Sequence, residues 1–110
     1  YRADLSNASL ISSNLTEADL TGTDFNQADL TEASFLGTIL HKADFLGATL
    51  RKTSLIGANL SNANFSGANL SGANLAGANL SGASLVKVHM IGARLCNTTM
   101  PDGSVIYSGC

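Results

Sequence analysis

Three aspartates, Asp4, Asp24 and Asp44, recur at intervals of twenty residues, and two cysteines, Cys96 and Cys110, stand near one end of the 110-residue chain. Carboxylates brought together draw a cation or a basic partner, and two of them about 5 Å apart would have the spacing of a retaining glycosidase pair. Two cysteines can close a disulfide. His41 and His89 are too few for a metal centre, which needs three or four converging ligands. Ser, His and Asp are all present, but nucleophilic catalysis needs them gathered beside an oxyanion hole. Gly67, Gly72, Gly77 and Gly82 lie among Ser, Asn and Ala with no Gly-Lys-Ser or Gly-Lys-Thr, so they form no phosphate loop. Which chemistry is open depends on the elements that hold these residues.

Those elements are set by a period of five. Every fifth residue from Leu5 to Met100 is Leu, Phe or Met, and the residue two before it is almost always Ala, Ser or Thr. Five fits neither the 3.6 of an amphipathic helix nor the 2 of a strand, so a repeat architecture takes precedence. The 45% of hydrophobic residues are spread evenly along the chain, which fits a single unit without a linker. A formal charge of −2 with six Lys and Arg offers no basic stripe, so no nucleic-acid partner is expected. The apolar stretches fall far short of the eighteen or so residues of a membrane span.

The motif, as in Ala58-Asn59-Leu60-Ser61-Asn62 or Ala68-Asn69-Leu70-Ser71-Gly72, resembles that of the pentapeptide-repeat family, and the resemblance covers nearly the whole chain. It implies an all-β fold, a right-handed quadrilateral parallel β-helix with four motifs to a coil. The centre and the small residue two before it then point inward, and the other three positions face solvent. Twenty motifs make about five coils over residues 1–100, roughly 24 Å long at a strand spacing of about 4.8 Å, with residues 101–110 as a short C-terminal cap. The chain carries its own check on the coil, because Phe25, Phe45 and Phe65 fall twenty apart in one column between Leu5 and Leu85. The interior should be dry and close-packed, with no cofactor cavity.

On such a coil Asp4, Asp24 and Asp44 form an acidic column continued by Asn64 and Ser84. They either hold turns through nearby backbone amides or make an electronegative half that attracts a cation or a basic partner. The glycosidase analogy fails on a convex face with no cleft. On another face the residues after each centre run Thr16, Leu36, Ile56, Ala76, Cys96, with Ile39 round the corner. Leu36, Ile39 and Ile56 are isolated surface residues or a docking strip for a partner. No catalytic residue, cofactor site or metal site is expected.

The two ends differ. No capping segment precedes the first motif at Ala3, and an uncapped solenoid end exposes apolar residues, here Leu5, Leu10, Leu15 and Leu20. A removed targeting segment and cap, or an end-to-end dimer through the N-terminal coil, would account for this. At the other end Pro101-Asp102-Gly103 is a turn signal, after which Val105, Ile106 and Tyr107 are expected to fold back over Leu85, Met90, Leu95 and Met100. Cys96 and Cys110 bracket this segment. They form either a disulfide, closing a loop worth roughly 3 kcal/mol in the chain-entropy model, or two free thiols.

The segment from Cys96 to Gly103 is similar to the C-terminal segment of cyanobacterial and plastid members of the family, which are often directed to the thylakoid lumen or periplasm. Both observations favour an oxidising compartment, with the cytoplasm as the alternative. The function expected is a non-enzymatic interaction scaffold with an unidentified protein partner. Two alternatives follow from other branches of the family: a DNA mimic that interacts with gyrase, for which eight acids against six bases make a sparse negative surface, and a cytoplasmic regulatory protein acting by protein contact.

Overall fold

A computed structural model describes residues 2–107, 109 and 110. Its backbone winds so that each outward residue before a centre pairs in parallel with the one twenty positions on: Asp4 with Asp24, Asp24 with Asp44, Asp44 with Asn64, and likewise on the other three faces. Four motifs therefore complete one turn. The Leu5 amide donates to the Asp24 carbonyl at 2.7 Å, and the Asp24 amide returns to the Ala3 carbonyl at 2.9 Å, a ladder repeated face by face.

Corners follow from the same five-residue unit. The amide three residues after each centre donates back to the centre's carbonyl, as Ala28 does to Phe25 at 2.9 Å. The second of the two residues between them has φ near +60°, as the third position of a type II turn requires. Glycine fills this place at Gly77 and Gly82, but Asn62, Lys52 and Glu32 adopt the same conformation, so the fold carries side chains there at a backbone cost. With two of every five residues in a corner, each flat side is too short for an extended strand. Regular strands among the described residues are confined to β1 (Thr98–Thr99) and β2 (Val105–Ile106), an antiparallel pair with Thr98 opposite Ile106.

The inward positions are as the period predicts. Leu30, Leu40, Leu50, Leu60 and Leu70 are fully buried, with Ala28, Ala43, Ala58 and Ala68 beside them. Each buried Leu or Phe is worth about 1.5–3 kcal/mol relative to exposure, which lets a narrow rod hold together. Phe25, Phe45 and Phe65 stack in one column, with ring centroids 4.9 and 4.8 Å apart and planes within 3° of parallel. That separation is the distance between neighbouring strands of a sheet, so the ladder dictates the ring spacing. Phe35 stands outside the column but reaches across the interior and meets Phe25 and Phe45 edge-on, at 5.7 and 6.2 Å.

Four threonines occupy small inward positions, and each is fully buried: Thr23, Thr38, Thr53 and Thr98. The hydroxyls of Thr38, Thr53 and Thr98 donate to the carbonyls of Leu15, Leu30 and Leu75, each the centre residue 23 positions earlier, at 2.7–2.8 Å. Among the described residues the Thr23 hydroxyl has no partner. The two sites should respond oppositely to loss of the hydroxyl. Thr53→Val is expected to lower stability by about 1 kcal/mol, whereas Thr23→Val, which removes an unsatisfied buried donor, should leave the monomer as stable or more so. Urea unfolding of the pair checks this; equal losses at both sites would contradict the assignment.

The ends are less covered than the middle. Leu5, Leu10, Leu15 and Leu20 at one end, and Leu85, Met90, Leu95 and Met100 at the other, are only partly buried. The expected fold-back is present but incomplete. The Met100 amide donates to the Ser104 carbonyl at 2.7 Å and Ile106 is half-buried, yet Val105 is 41% and Tyr107 65% exposed. The reason is that β2 pairs edge-on with β1 and does not lie across the open end.

Candidate functional site

The acidic column forms as a backbone register. Asp4, Asp24 and Asp44 are successive partners on one face. Their carboxylates, however, are engaged locally. Oδ1 of Asp4, Asp24 and Asp44 accepts the amide two residues on, from Ser6, Asn26 and Leu46 at 3.0, 2.8 and 3.1 Å. Asn14, Asn59, Asn64, Asn69, Asn74 and Asn79 make the same bond with a neutral side chain. These are Asx turns that brace the corners. Asn64 also donates through Nδ2 to the Asp44 carboxylate at 3.2 Å, linking two levels of the column. Among the described residues no three of His, Cys, Asp and Glu gather where they could hold a metal ion.

The turn bonds have an electrostatic consequence. The hydroxyls of Ser6, Thr21 and Thr31, and then the amides of the same residues, hold the carboxyls of Asp4, Asp19 and Asp29 below the ordinary aspartate range. Ser104 does the same to Asp102. A carboxyl whose pKa is lowered on folding contributes stability that is complete above its unfolded value, near pH 4. That contribution is lost as pH falls through the lowered folded value. Replacing Asp4, Asp19 and Asp29 by Asn keeps an acceptor for every turn amide. The triple variant is therefore expected to be less stable than the parent at pH 7, where the ionised carboxylates contribute, and to lose less stability in acid, as thermal melts across pH would show.

His41 is also tied down. Its Nδ1 lies 3.1 Å from the Ser61 carbonyl and 2.8 Å from the Ser61 hydroxyl, whose own proton goes to Asn59 at 2.7 Å. Both contacts require a donor, so the proton sits on Nδ1. A shallow groove of about 280 Å³ is lined by Arg2, Thr21, Gly22 and Lys42. The Thr21 hydroxyl there is already given to Asp19 at 2.7 Å.

Leu36, Ile39 and Ile56 are 43%, 41% and 37% exposed. Leu36 and Ile56 are neighbours in the ladder, since the Gly37 amide donates to the Ile56 carbonyl at 2.9 Å. Ile39 stands on the next face, between Asp19 and Asn59. Sequence reasoning missed Val86 and Ile91, which are 60% and 83% exposed in the last turn of the rod.

Cys96 and Cys110 are joined by a disulfide, their Cα atoms 4.8 Å apart. The tail it holds is fitted closely: the Gly109 amide donates to the Leu95 carbonyl at 2.8 Å and Arg94 Nε donates to the Gly109 carbonyl at 3.3 Å. A Cβ on Gly109 would run into the Leu95 backbone, with its nitrogen at 2.9 Å. Among the described residues no helix is long and apolar enough to cross a membrane.

Several solved structures are similar to this chain. A pentapeptide repeat protein from the thylakoid lumen of Arabidopsis thaliana is 30% identical, with a TM-score of 0.60, over 94% of this chain and 66% of the other. A pentapeptide repeat protein of the cyanobacterium Cyanothece 51142 is 38% identical over 79% of this chain and 63% of its own, with a TM-score of 0.42. QnrB1, a plasmid-mediated fluoroquinolone resistance protein, is 18% identical over 96% of this chain and 65% of its own, with a TM-score of 0.53, a likeness of fold alone. The chain thus spans just under two thirds of the length of these structures. No curated protein sequence is significantly similar to it. The model of the pentapeptide repeats matches residues 1–37, 28–67 and 63–100, in eight copies. With that match running through every turn of the rod, the chain belongs to the pentapeptide-repeat family, whose fold is the right-handed parallel β-helix.

Proposed function

We propose that this protein is a non-enzymatic scaffold that presents a rigid rod to a protein partner in an oxidising compartment, the thylakoid lumen or the periplasm. Residues 1–100 form the rod, as five coils, and residues 101–110 are a stapled cap. The observation that carries the reading is the exposed Leu36, Ile39 and Ile56 beside the turns braced by Asp44 and Asn59. An exposed apolar strip of this kind is suited to binding another surface. The disulfide and the likeness to a lumenal protein of Arabidopsis support the compartment.

Leu36→Lys with Ile56→Lys tests the strip. The double variant is expected to melt within about 0.5 kcal/mol of the parent, since both side chains are exposed. It should also fail to retain the protein that the parent captures by crosslinking in a lumenal or periplasmic extract. Undiminished capture by the double variant would exclude the strip. The gyrase reading is favoured only by the acidic side of the rod, where seven of the eight acids fall between Asp4 and Asp44. A gyrase supercoiling assay without effect would end it.

A further inference from the structure

On one side of the rod, charge and apolar surface are sorted to opposite edges. In the second and third coils this side runs from the corners Thr31-Glu32 and Arg51-Lys52, across Ser34 and Ser54, to the corners Leu36-Gly37 and Ile56-Gly57. Its charges, Glu32, Arg51 and Lys52, all lie on the first edge, and its large apolar side chains, Leu36 and Ile56, on the second. All five are exposed, while Ser34 and Ser54 between them are small and half-buried. The ladder holds both edges in step: the Glu32 amide donates to the Arg51 carbonyl and the Gly37 amide to the Ile56 carbonyl, each at 2.9 Å. The apolar edge is open to approach, since nothing lies within 4 Å of where a Cβ on Gly57 would stand.

Two copies can lay this side against itself in two ways. A two-fold axis running along the rods places each edge on the opposite edge of the other copy. Leu36 and Ile56 would then cover Glu32, Arg51 and Lys52, and desolvated charge against hydrocarbon is costly. A two-fold axis lying between the rods and perpendicular to them turns the second rod end for end and lays each edge on its own kind. With that axis between the second and third coils, Leu36 meets Ile56 of the second copy, and the symmetry makes the contact twice. Four apolar side chains form one cluster. On the other edge Glu32 meets the Arg51-Lys52 corner of the second copy, also twice, so opposite charges flank the cluster and fix its register.

The dimensions are sufficient for such a contact. The molecule measures 33 × 26 × 23 Å, so one side presents on the order of 600 Å², and two together bury about 1,200 Å², the lower end of stable specific interfaces. The residues involved lie in the second and third coils, in the interior of the repeat. Ile39, round the corner from Leu36, borders the contact.

We propose that the occupant of the apolar strip is a second copy of this chain, packed side by side and antiparallel, with Leu36 on Ile56 and Glu32 on Arg51-Lys52 across a two-fold axis. The proposal rests on the reading of Leu36, Ile39 and Ile56 as a docking strip, and it names what docks there. The strip and the charges beside it have the spacing that this two-fold requires, which an unrelated surface would have to reproduce. An isologous contact uses the same patch on both copies and closes at two.

Light scattering after size exclusion, over a dilution series of the oxidised 110-residue chain, tests it. Mass should rise with concentration from one chain to two and go no further. Leu36→Lys with Ile56→Lys should hold the protein at one chain. Glu32→Lys sets bases against bases on both flanks and should weaken the dimer several-fold. Adding Lys52→Glu to Glu32→Lys should recover most of that loss, a reversal that neither a folding defect nor a contact elsewhere produces. The substituted positions are exposed, so parent-like thermal melts establish that each variant is folded. A chain that stays single at every concentration overturns the self-pairing, and the strip is then judged separately by capture of another protein from the extract. A dimer indifferent to Leu36→Lys and Ile56→Lys overturns the pairing through this side. Growth beyond two copies, or a charge swap that recovers nothing, overturns the antiparallel two-fold.

Discussion

Phe45→Ala should be among the most damaging single changes in this chain. Phe45 is fully buried and touches three other rings: Phe25 and Phe65 above and below it at 4.9 and 4.8 Å, and Phe35 edge-on at 6.2 Å. Truncation removes the transfer energy of the ring and opens a cavity that the ladder on either side prevents from collapsing, because the coil spacing is set by hydrogen bonds and not by the side chains. Phe→Ala in a core costs about 3–5 kcal/mol, and this site should lie in that range. At this chain length the loss corresponds to a fall in melting temperature on the order of 10–20 °C, readable by far-UV circular dichroism. Phe45→Leu should cost less, since Leu5 and Leu85 already occupy the same column. A loss under about 1 kcal/mol for Phe45→Ala would mean that the rings do not share one dry interior.

Removing the disulfide should have the next largest effect. Cys96 and Cys110 are 14 residues apart, and in the chain-entropy model a loop of this size is worth about 3 kcal/mol through restriction of the unfolded chain. The bonds of the tail give the cross-link something to protect: Gly109 on the Leu95 carbonyl and Arg94 on the Gly109 carbonyl. The double variant Cys96→Ser, Cys110→Ser, unfolded in urea at a dilution where it is monomeric, is expected to have a lower midpoint by that amount with an unchanged slope. An unchanged midpoint would show that the tail detaches before the rod unfolds, so that the cross-link constrains only a segment already released. Measuring the intact mass after native alkylation, with and without reductant, establishes beforehand which form is in hand.

Much of the fold was legible from one feature. A side chain that recurs every fifth residue as Leu, Phe or Met cannot be solvated in twenty successive motifs, so Leu30, Phe45 and Leu60 had to face a common interior, with Ala28, Ala43 and Ala58 small enough to share it. The aromatic column could be counted off directly, because twenty residues per turn is a property of spacing. Part of the candidate site was legible for the same reason: Leu36 and Ile56 fall in one column by arithmetic, and Cys96 and Cys110 bracket the only stretch that breaks the register. The acidic column was visible as a spacing, but its role was not. Whether Asp24 and Asp44 present free carboxylates or spend them on the amides of Asn26 and Leu46 depends on the turn geometry at each corner.

The sequence by itself determined which side of the backbone each residue faces and which residues lie above one another, since both follow from a period that never slips. Only the tertiary structure decided what those residues do across turns of the coil. Phe35 meets Phe25 and Phe45 because the interior is narrow enough for a ring to span it. The hydroxyl of Thr53 is satisfied because its acceptor is the Leu30 carbonyl on the preceding turn, whereas that of Thr23 finds no partner among the described residues. Val105 and Tyr107 remain exposed because the chain leaves the last turn along its edge, where open amides and carbonyls pair more readily than side chains can spread across the end. Spacing is a one-dimensional property and is written in the sequence. Contacts between neighbouring turns depend on distances of a few ångströms between atoms far apart in the chain, and only the packed coil sets them.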